Sequence, residues 1–142
     1  MVITNMKKIS VCLLTIFFVM TQIEINAEDL RMIVDLEGKW LFSIGDNPAR
    51  AEKDFDDSQW DYMYVPASWE DEGYVGYNGF AWYRKHFRFP DIGREETLYL
   101  QIKNIDDVDE VFINGYKIGQ SGKFPPREKT AYGQERKYVI NP

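Results

Sequence analysis

The chain has 142 residues, 17 of them Lys or Arg and 23 Asp or Glu, giving a formal charge of -6, with 44% hydrophobic and 15% aromatic residues. That is the size of one domain, and it is too apolar for a disordered chain. An acidic excess without a large Lys/Arg cluster repels phosphate backbones and excludes nucleic acid as a partner.

Lys7 and Lys8 precede an apolar run from Ile9 to Met20, and a more polar stretch then ends at Ile25, Asn26 and Ala27. This is the grammar of a secretory signal peptide over residues 1–27, followed by one domain over 28–142. The run is shorter than the roughly 20 apolar residues a spanning helix needs. The sequence therefore predicts export to the periplasm or the extracellular space, with no membrane span. Cys12 is the one cysteine and lies inside this segment. The mature chain would hold no disulfide, no thiolate nucleophile and no zinc-thiolate site.

Alternation places Trp40, Phe42 and Ile44 on one face of a strand from Lys39 to Ile44. Gly45, Asp46, Asn47 and Pro48 end it, and one helical turn can form before Lys53. Trp60 to Val65 alternates again and is closed by Pro66, which has no ladder donor. A loop rich in Gly, Tyr, Trp and acid runs from Ala67 to Gly79. The pattern from Phe80 to Phe89 predicts a strand with Trp82 opposite in phase to Tyr83, Lys85, Phe87 and Phe89. Strands are also expected over Thr97 to Ile105 and Asp109 to Asn114. Asn114-Gly115 then predicts a tight hairpin returning through Tyr116 to Ile118, because both turn residues tolerate positive φ. Lys137 to Ile140 forms a last short strand. With no amphipathic helix of three turns and no internal repeat, the pattern is that of an all-β antiparallel sandwich or barrel.

Five separated segments carry a resemblance: Leu36-Glu-Gly-Lys-Trp40-Leu-Phe42, Phe55-Asp-Asp-Ser-Gln-Trp60, Val65-Pro66-Ala-Ser-Trp69-Glu70, Gly79-Phe-Ala-Trp82-Tyr83-Arg84-Lys85 and Val111-Phe-Ile-Asn114-Gly115-Tyr-Lys-Ile-Gly119. In content and order they resemble the N-terminal sugar-binding domain of glycoside hydrolase family 2, the β-galactosidase and β-glucuronidase group. The resemblance implies a galactose-binding-domain-like jelly roll, with carbohydrate and a catalytic (β/α)8 barrel of the same parent protein as partners. It also implies one or more strands beyond the segment Arg136 to Ile140. A chain ending at Pro142 would then be a fragment of a longer secreted protein, or a sandwich lacking its last strand.

Cleaving a glycosidic bond takes two carboxyls about 5 to 9.5 Å apart across it. The acidic pairs Asp56-Asp57, Asp71-Glu72, Glu95-Glu96 and Asp106-Asp107 read instead as solvated turn residues. His86, the one histidine, has no serine or cysteine motif to serve. No catalytic residue is assigned.

Sugars stack their C-H faces on aromatic rings while carboxylates, amides and guanidinium groups bind their hydroxyls. Trp69, Glu70, Tyr74, Tyr77, Asn78, Trp82 and Arg84 supply both kinds of group and form the candidate ligand site. For Trp69 and Tyr77, contact with a ligand or another domain weighs the same as a place in the core; Trp82 leans to the core. Arg84, set among aromatics, needs an anionic partner, and Glu70 is the expected one. No cofactor is expected; Asp46, Asp54 and Asp57 could offer oxygens to a structural calcium, but no loop spacing specifies it. The opposing reading is an extracellular sensory or protein-interaction sandwich that touches no sugar.

Overall fold

The computed structural model describes residues 31–91 and 97–140; the expected signal peptide and the Glu95-Glu96 pair lie outside them. A compact unit begins at Val34. Its described residues are all-β, with seven strands: β1 (Gly38–Ile44), β2 (Asp61–Val65), β3 (Ala81–Arg84), β4 (Leu98–Ile102), β5 (Asp109–Ile113), β6 (Tyr116–Ser121) and β7 (Arg136–Ile140). Among the described residues the single helical piece is a turn of 3-10 helix over Pro48–Ala51, capped by the Asn47 side chain, which accepts from the Ala49 N–H. No helix among them is long and apolar enough to cross a membrane.

All strand pairs are antiparallel, in three sheets ordered β2-β1-β3, β4-β7 and β5-β6. In the first, Phe42 stands opposite Asp61 and Tyr83, and Trp40 opposite Met63. Residues two apart share a face, so this face carries Trp40, Phe42, Met63 and Tyr83, and Phe42 and Met63 are completely buried. The other face carries Lys39, Leu41, Tyr62, Tyr64, Trp82 and Arg84.

The strand expected over Phe80 to Phe89 is ordered into a ladder only from Ala81 to Arg84. Alternation identifies extended chain, but a strand also needs a backbone ladder, and that ladder ends at Arg84. Phe87 and Phe89 are exposed and lean on one another, ring centroids 5.9 Å apart. The Asn114-Gly115 hairpin forms as expected, with φ of 51° and 87°. Its returning strand runs on to Ser121, beyond Ile118, past a bulge at Val111/Phe112.

The two smaller sheets are joined through a buried polar network. Arg136, on β7, donates from Nε to Asp109 Oδ1 at 2.7 Å, and Tyr138, two residues on, donates its hydroxyl to Asp109 Oδ2 at 2.5 Å. The remaining Arg136 nitrogens donate to the carbonyls of Ala131, Gln134 and Asp107. The Tyr138 oxygen also meets Ser121 Oγ on β6 at 2.6 Å. Burial, helped by the neighbouring Asp109 carboxylate, pushes the Tyr138 hydroxyl up to about 12. The ring of Tyr138 lies against Gly119: a Cβ there would stand 2.0 Å from its Cδ1. The glycine that closes the Asn114 to Gly119 motif is thus a seat for an aromatic ring.

Two outcomes follow for stability. Arg136→Met strands the Asp109 carboxylate in the interior and should cost about 3–5 kcal/mol, whereas Arg136→Met with Asp109→Leu removes both charges and should cost less than the single change. Chemical denaturation of the three proteins orders them. Gly119→Ala should lower stability by about 1–3 kcal/mol, because Tyr138 is held at its hydroxyl and cannot swing aside. The denaturation midpoint should fall with an unchanged m value.

Candidate functional site

The chain from Ser68 to Phe80 is a succession of tight turns. The Tyr74 N–H donates to the Trp69 carbonyl at 2.8 Å, and the Tyr77 N–H donates to the Tyr74 carbonyl at 3.1 Å. Gly73 and Gly76 take the positive φ values, 100° and 71°, that let the chain double back. Ser68 Oγ closes the first turn by donating to Asp71 Oδ2 at 2.7 Å.

This compaction folds the rings inward over Phe42. Tyr74 and Tyr83 meet the Phe42 ring edge-on at 4.7 and 4.9 Å, Trp69 lies 6.4 Å away, and Tyr77 packs on Trp69 at 5.4 Å. Edge-to-face contacts of this kind are favourable through the ring quadrupoles. Each polar atom on Trp69, Tyr74 and Tyr77 also has a hydrogen-bond partner within the chain. Trp69 Nε1–H donates to the Tyr83 hydroxyl at 2.5 Å, and the Tyr74 hydroxyl donates to Asp61 Oδ2 at 2.8 Å. The Tyr77 hydroxyl donates to the Phe80 carbonyl at 2.8 Å and accepts from the Gly45 N–H at 3.2 Å. Burial raises the pKa of Tyr83, with the Trp69 hydrogen bond working against it, and burial together with Asp61 raises that of Tyr74.

Trp82 and Arg84 lie on the opposite face of the sheet. Trp82 packs against Phe112 of β5 with centroids 5.9 Å apart. Arg84 does not pair with Glu70. Its Nε donates to Asp57 Oδ2 at 2.8 Å, Nη1 to the carbonyls of Arg50 and Glu52 at 2.7 and 3.0 Å, and Nη2 to the Lys53 carbonyl at 3.2 Å. The reason is geometric: Glu70 belongs to the loop, whereas Arg84 points from the other side of β3 toward the segment after the 3-10 turn. The guanidinium gathers carbonyls that no ladder would satisfy. Asp57, read from sequence as a solvated turn acid, is therefore an ion-pair partner with a side chain only 17% exposed. It also meets His86 Nε2 at 2.7 Å. Burial raises its pKa, but hydrogen bonds and attraction from His86 and Arg84 outweigh that, and the carboxyl sits below its ordinary value.

Of the seven residues the sequence singles out, Trp69, Tyr74 and Tyr77 are thus brought together, and Trp82 and Arg84 face elsewhere. Glu70 and Asn78 are exposed, Asn78 donating from Nδ2 to the Gly76 carbonyl at 3.2 Å. Among the described residues, no three of His, Cys, Asp and Glu converge to hold a metal ion. Sequence reasoning missed the Asp57 and Asp109 hubs; their partners lie 27 residues away or more in the chain.

No family model matches the chain. It is 31% identical over 121 residues, 77% of its length, to a provisionally named beta-glucuronidase of Formosa agariphila. A beta-glucuronidase of the same organism is 24% identical over 69% of the chain, and a beta-galactosidase of Bacteroides ovatus is 27% identical over 60% of it. In each case the match covers 11% of the relative. The chain is therefore related, over most of its length, to a short part of glycoside hydrolases.

The acid limb of stability should report the Asp57 pair. A carboxyl depressed below 3.8 stabilises the fold above about pH 4, and that contribution disappears as pH falls through the lower folded value. Asp57→Asn should cost about 1–3 kcal/mol near neutrality, and its deficit against the parent should shrink by pH 3. Thermal midpoints across pH 3 to 7 measure the convergence.

Proposed function

We propose that this chain is the non-catalytic, carbohydrate-binding module at the N-terminal end of an exported glycoside hydrolase that cleaves O-glycosyl bonds with a barrel domain of the same parent protein. The observation that carries the reading is the match of 77% of this chain to 11% of a beta-glucuronidase-like relative. A segment that recurs within longer glycosidases, and that folds as a sandwich, fits an accessory part of such an enzyme. The signal-peptide pattern at Lys7 to Ala27 supports export, to the periplasm or beyond.

The acids of the chain favour a non-catalytic role. A glycosidase needs one carboxyl kept protonated as an acid and a second free to act as base or nucleophile. Here Asp57 is bound by Arg84 and His86, Asp61 accepts from Tyr74, Asp71 from Ser68, and Asp109 from Arg136 and Tyr138. Glu72 accepts from the Tyr64 N–H and Glu110 is paired with Lys117. These carboxylates are committed to turns and ion pairs.

A second reading, an extracellular interaction domain that binds no sugar, draws on one observation: the polar atoms of Trp69, Tyr74 and Tyr77 all have hydrogen-bond partners within the chain. The two readings separate by titration with methyl β-D-galactopyranoside and methyl β-D-glucuronide, followed by amide chemical shifts. Saturable shifts are expected, together with no release of p-nitrophenol from the matching p-nitrophenyl glycosides. Turnover by this chain would overturn the non-catalytic reading, and absence of any shift would favour the interaction domain.

A further inference from the structure

The rings that do face solvent lie outside the loop. On β2, Asp61 and Met63 point to the Phe42 face, so the alternate residues Tyr62 and Tyr64 point the other way, and each is 60% exposed. They stand opposite Leu41 and Lys39 of β1. Their hydroxyls have no hydrogen-bond partner among the described residues, in contrast to those of Tyr74, Tyr77, Tyr83 and Tyr138. The Lys39 ammonium sits 3.9 Å from the centroid of Tyr62, a cation on a π-face.

The patch also carries its own polar border. The N–H of Tyr64 donates to Glu72 Oε2 at 3.4 Å, which places a carboxylate beside the second ring. That contact occupies a donor on the outer edge of β2, the end strand of its sheet, and so disfavours pairing with another strand. The face thus combines two aromatic rings, two phenol hydroxyls without partners among the described residues and an ammonium, all on the sheet, with a carboxylate reaching its edge from the neighbouring turn.

From this we infer that the outer face of β2, centred on Tyr62 and Tyr64 and bordered by Lys39 and Glu72, is the surface that takes a pyranose ring of a glycan. The inference rests on the carbohydrate-binding reading proposed above and centres its site on Tyr62 and Tyr64 rather than on the seven residues singled out between Trp69 and Arg84. The C-H face of the sugar packs on a tyrosine ring. Its hydroxyls find donors and acceptors in the phenols, the ammonium and the carboxylate. An aliphatic docking patch would lack this ring of polar groups, and the two rings lose little conformational freedom on binding because each has few rotatable bonds.

The test uses the full chain, with methyl β-D-galactopyranoside, methyl β-D-glucuronide, soluble galactan and glucuronoxylan as probes in affinity electrophoresis and amide-shift titration. Tyr62→Ala and Tyr64→Ala should each weaken binding about tenfold, with thermal midpoints close to the parent because both side chains are exposed. Tyr116→Ala, at a tyrosine 78% exposed on the hairpin, should leave affinity unchanged. If the parent binds a probe and both β2 variants bind it equally well, the site assignment is wrong while the carbohydrate-binding reading stands. If the parent binds none of the probes, both fail. Self-association that Tyr62→Ala abolishes, seen by sedimentation at rising concentration, would give the face to a second copy and overturn the inference.

Discussion

The carboxylate of Asp109 is the point on which the β4 to β7 half of the molecule depends. A buried carboxylate and guanidinium are tolerated only when almost every lone pair and N–H finds a partner. Asp109 meets that demand with Arg136 on one oxygen and Tyr138 on the other, while Arg136 turns its remaining nitrogens to three carbonyls. Because Arg136 and Tyr138 are two apart on β7, a slip of one residue would turn both away from Asp109 together. The network thereby sets the register of β7 as well as joining it to the β5-β6 hairpin. Gly119 belongs to the same constraint, since only a residue without a Cβ leaves room for the Tyr138 ring.

Asp57 and Arg84 do comparable work for the first sheet. The segment after the 3-10 turn has carbonyls that face no strand, and Arg84 collects them while Asp57 neutralises it. The opposite face is closed by the Trp69 to Tyr77 loop, whose rings pack on Phe42 and whose polar atoms are satisfied within the fold. The composition that suggests a sugar site in this loop is thus also the composition needed to cap a small sheet with few aliphatic residues. Rings serve both purposes, and their orientation separates them. On β2 the orientation is outward, which is why Tyr62 and Tyr64 differ in exposure from Trp69 and Tyr77 despite similar chemistry.

Much of the architecture is legible in the sequence. Period-two alternation locates five of the strands, Asn114-Gly115 names its own turn and the returning arm after it, and the last strand is expected over Lys137 to Ile140, since these are properties of a residue and its immediate neighbours. Alternation even held the key to Tyr62 and Tyr64: with Met63 inward, its two neighbours must face out. It overran at Lys85 to Phe89, where the pattern continues but the ladder to β1 stops at Arg84, although β1 itself runs back to Gly38.

The sequence by itself therefore determined the all-β class, the strand positions, the hairpin and the segment-by-segment resemblance to glycosidases. Tertiary structure alone decided that Arg84 answers to Asp57 rather than Glu70, that Asp109 is buried, and that the rings of the candidate loop point inward. The reason is range. Strand and turn preferences are settled among residues a few places apart, whereas the partner of a charge and the exposed side of a ring depend on which distant segments fold against them.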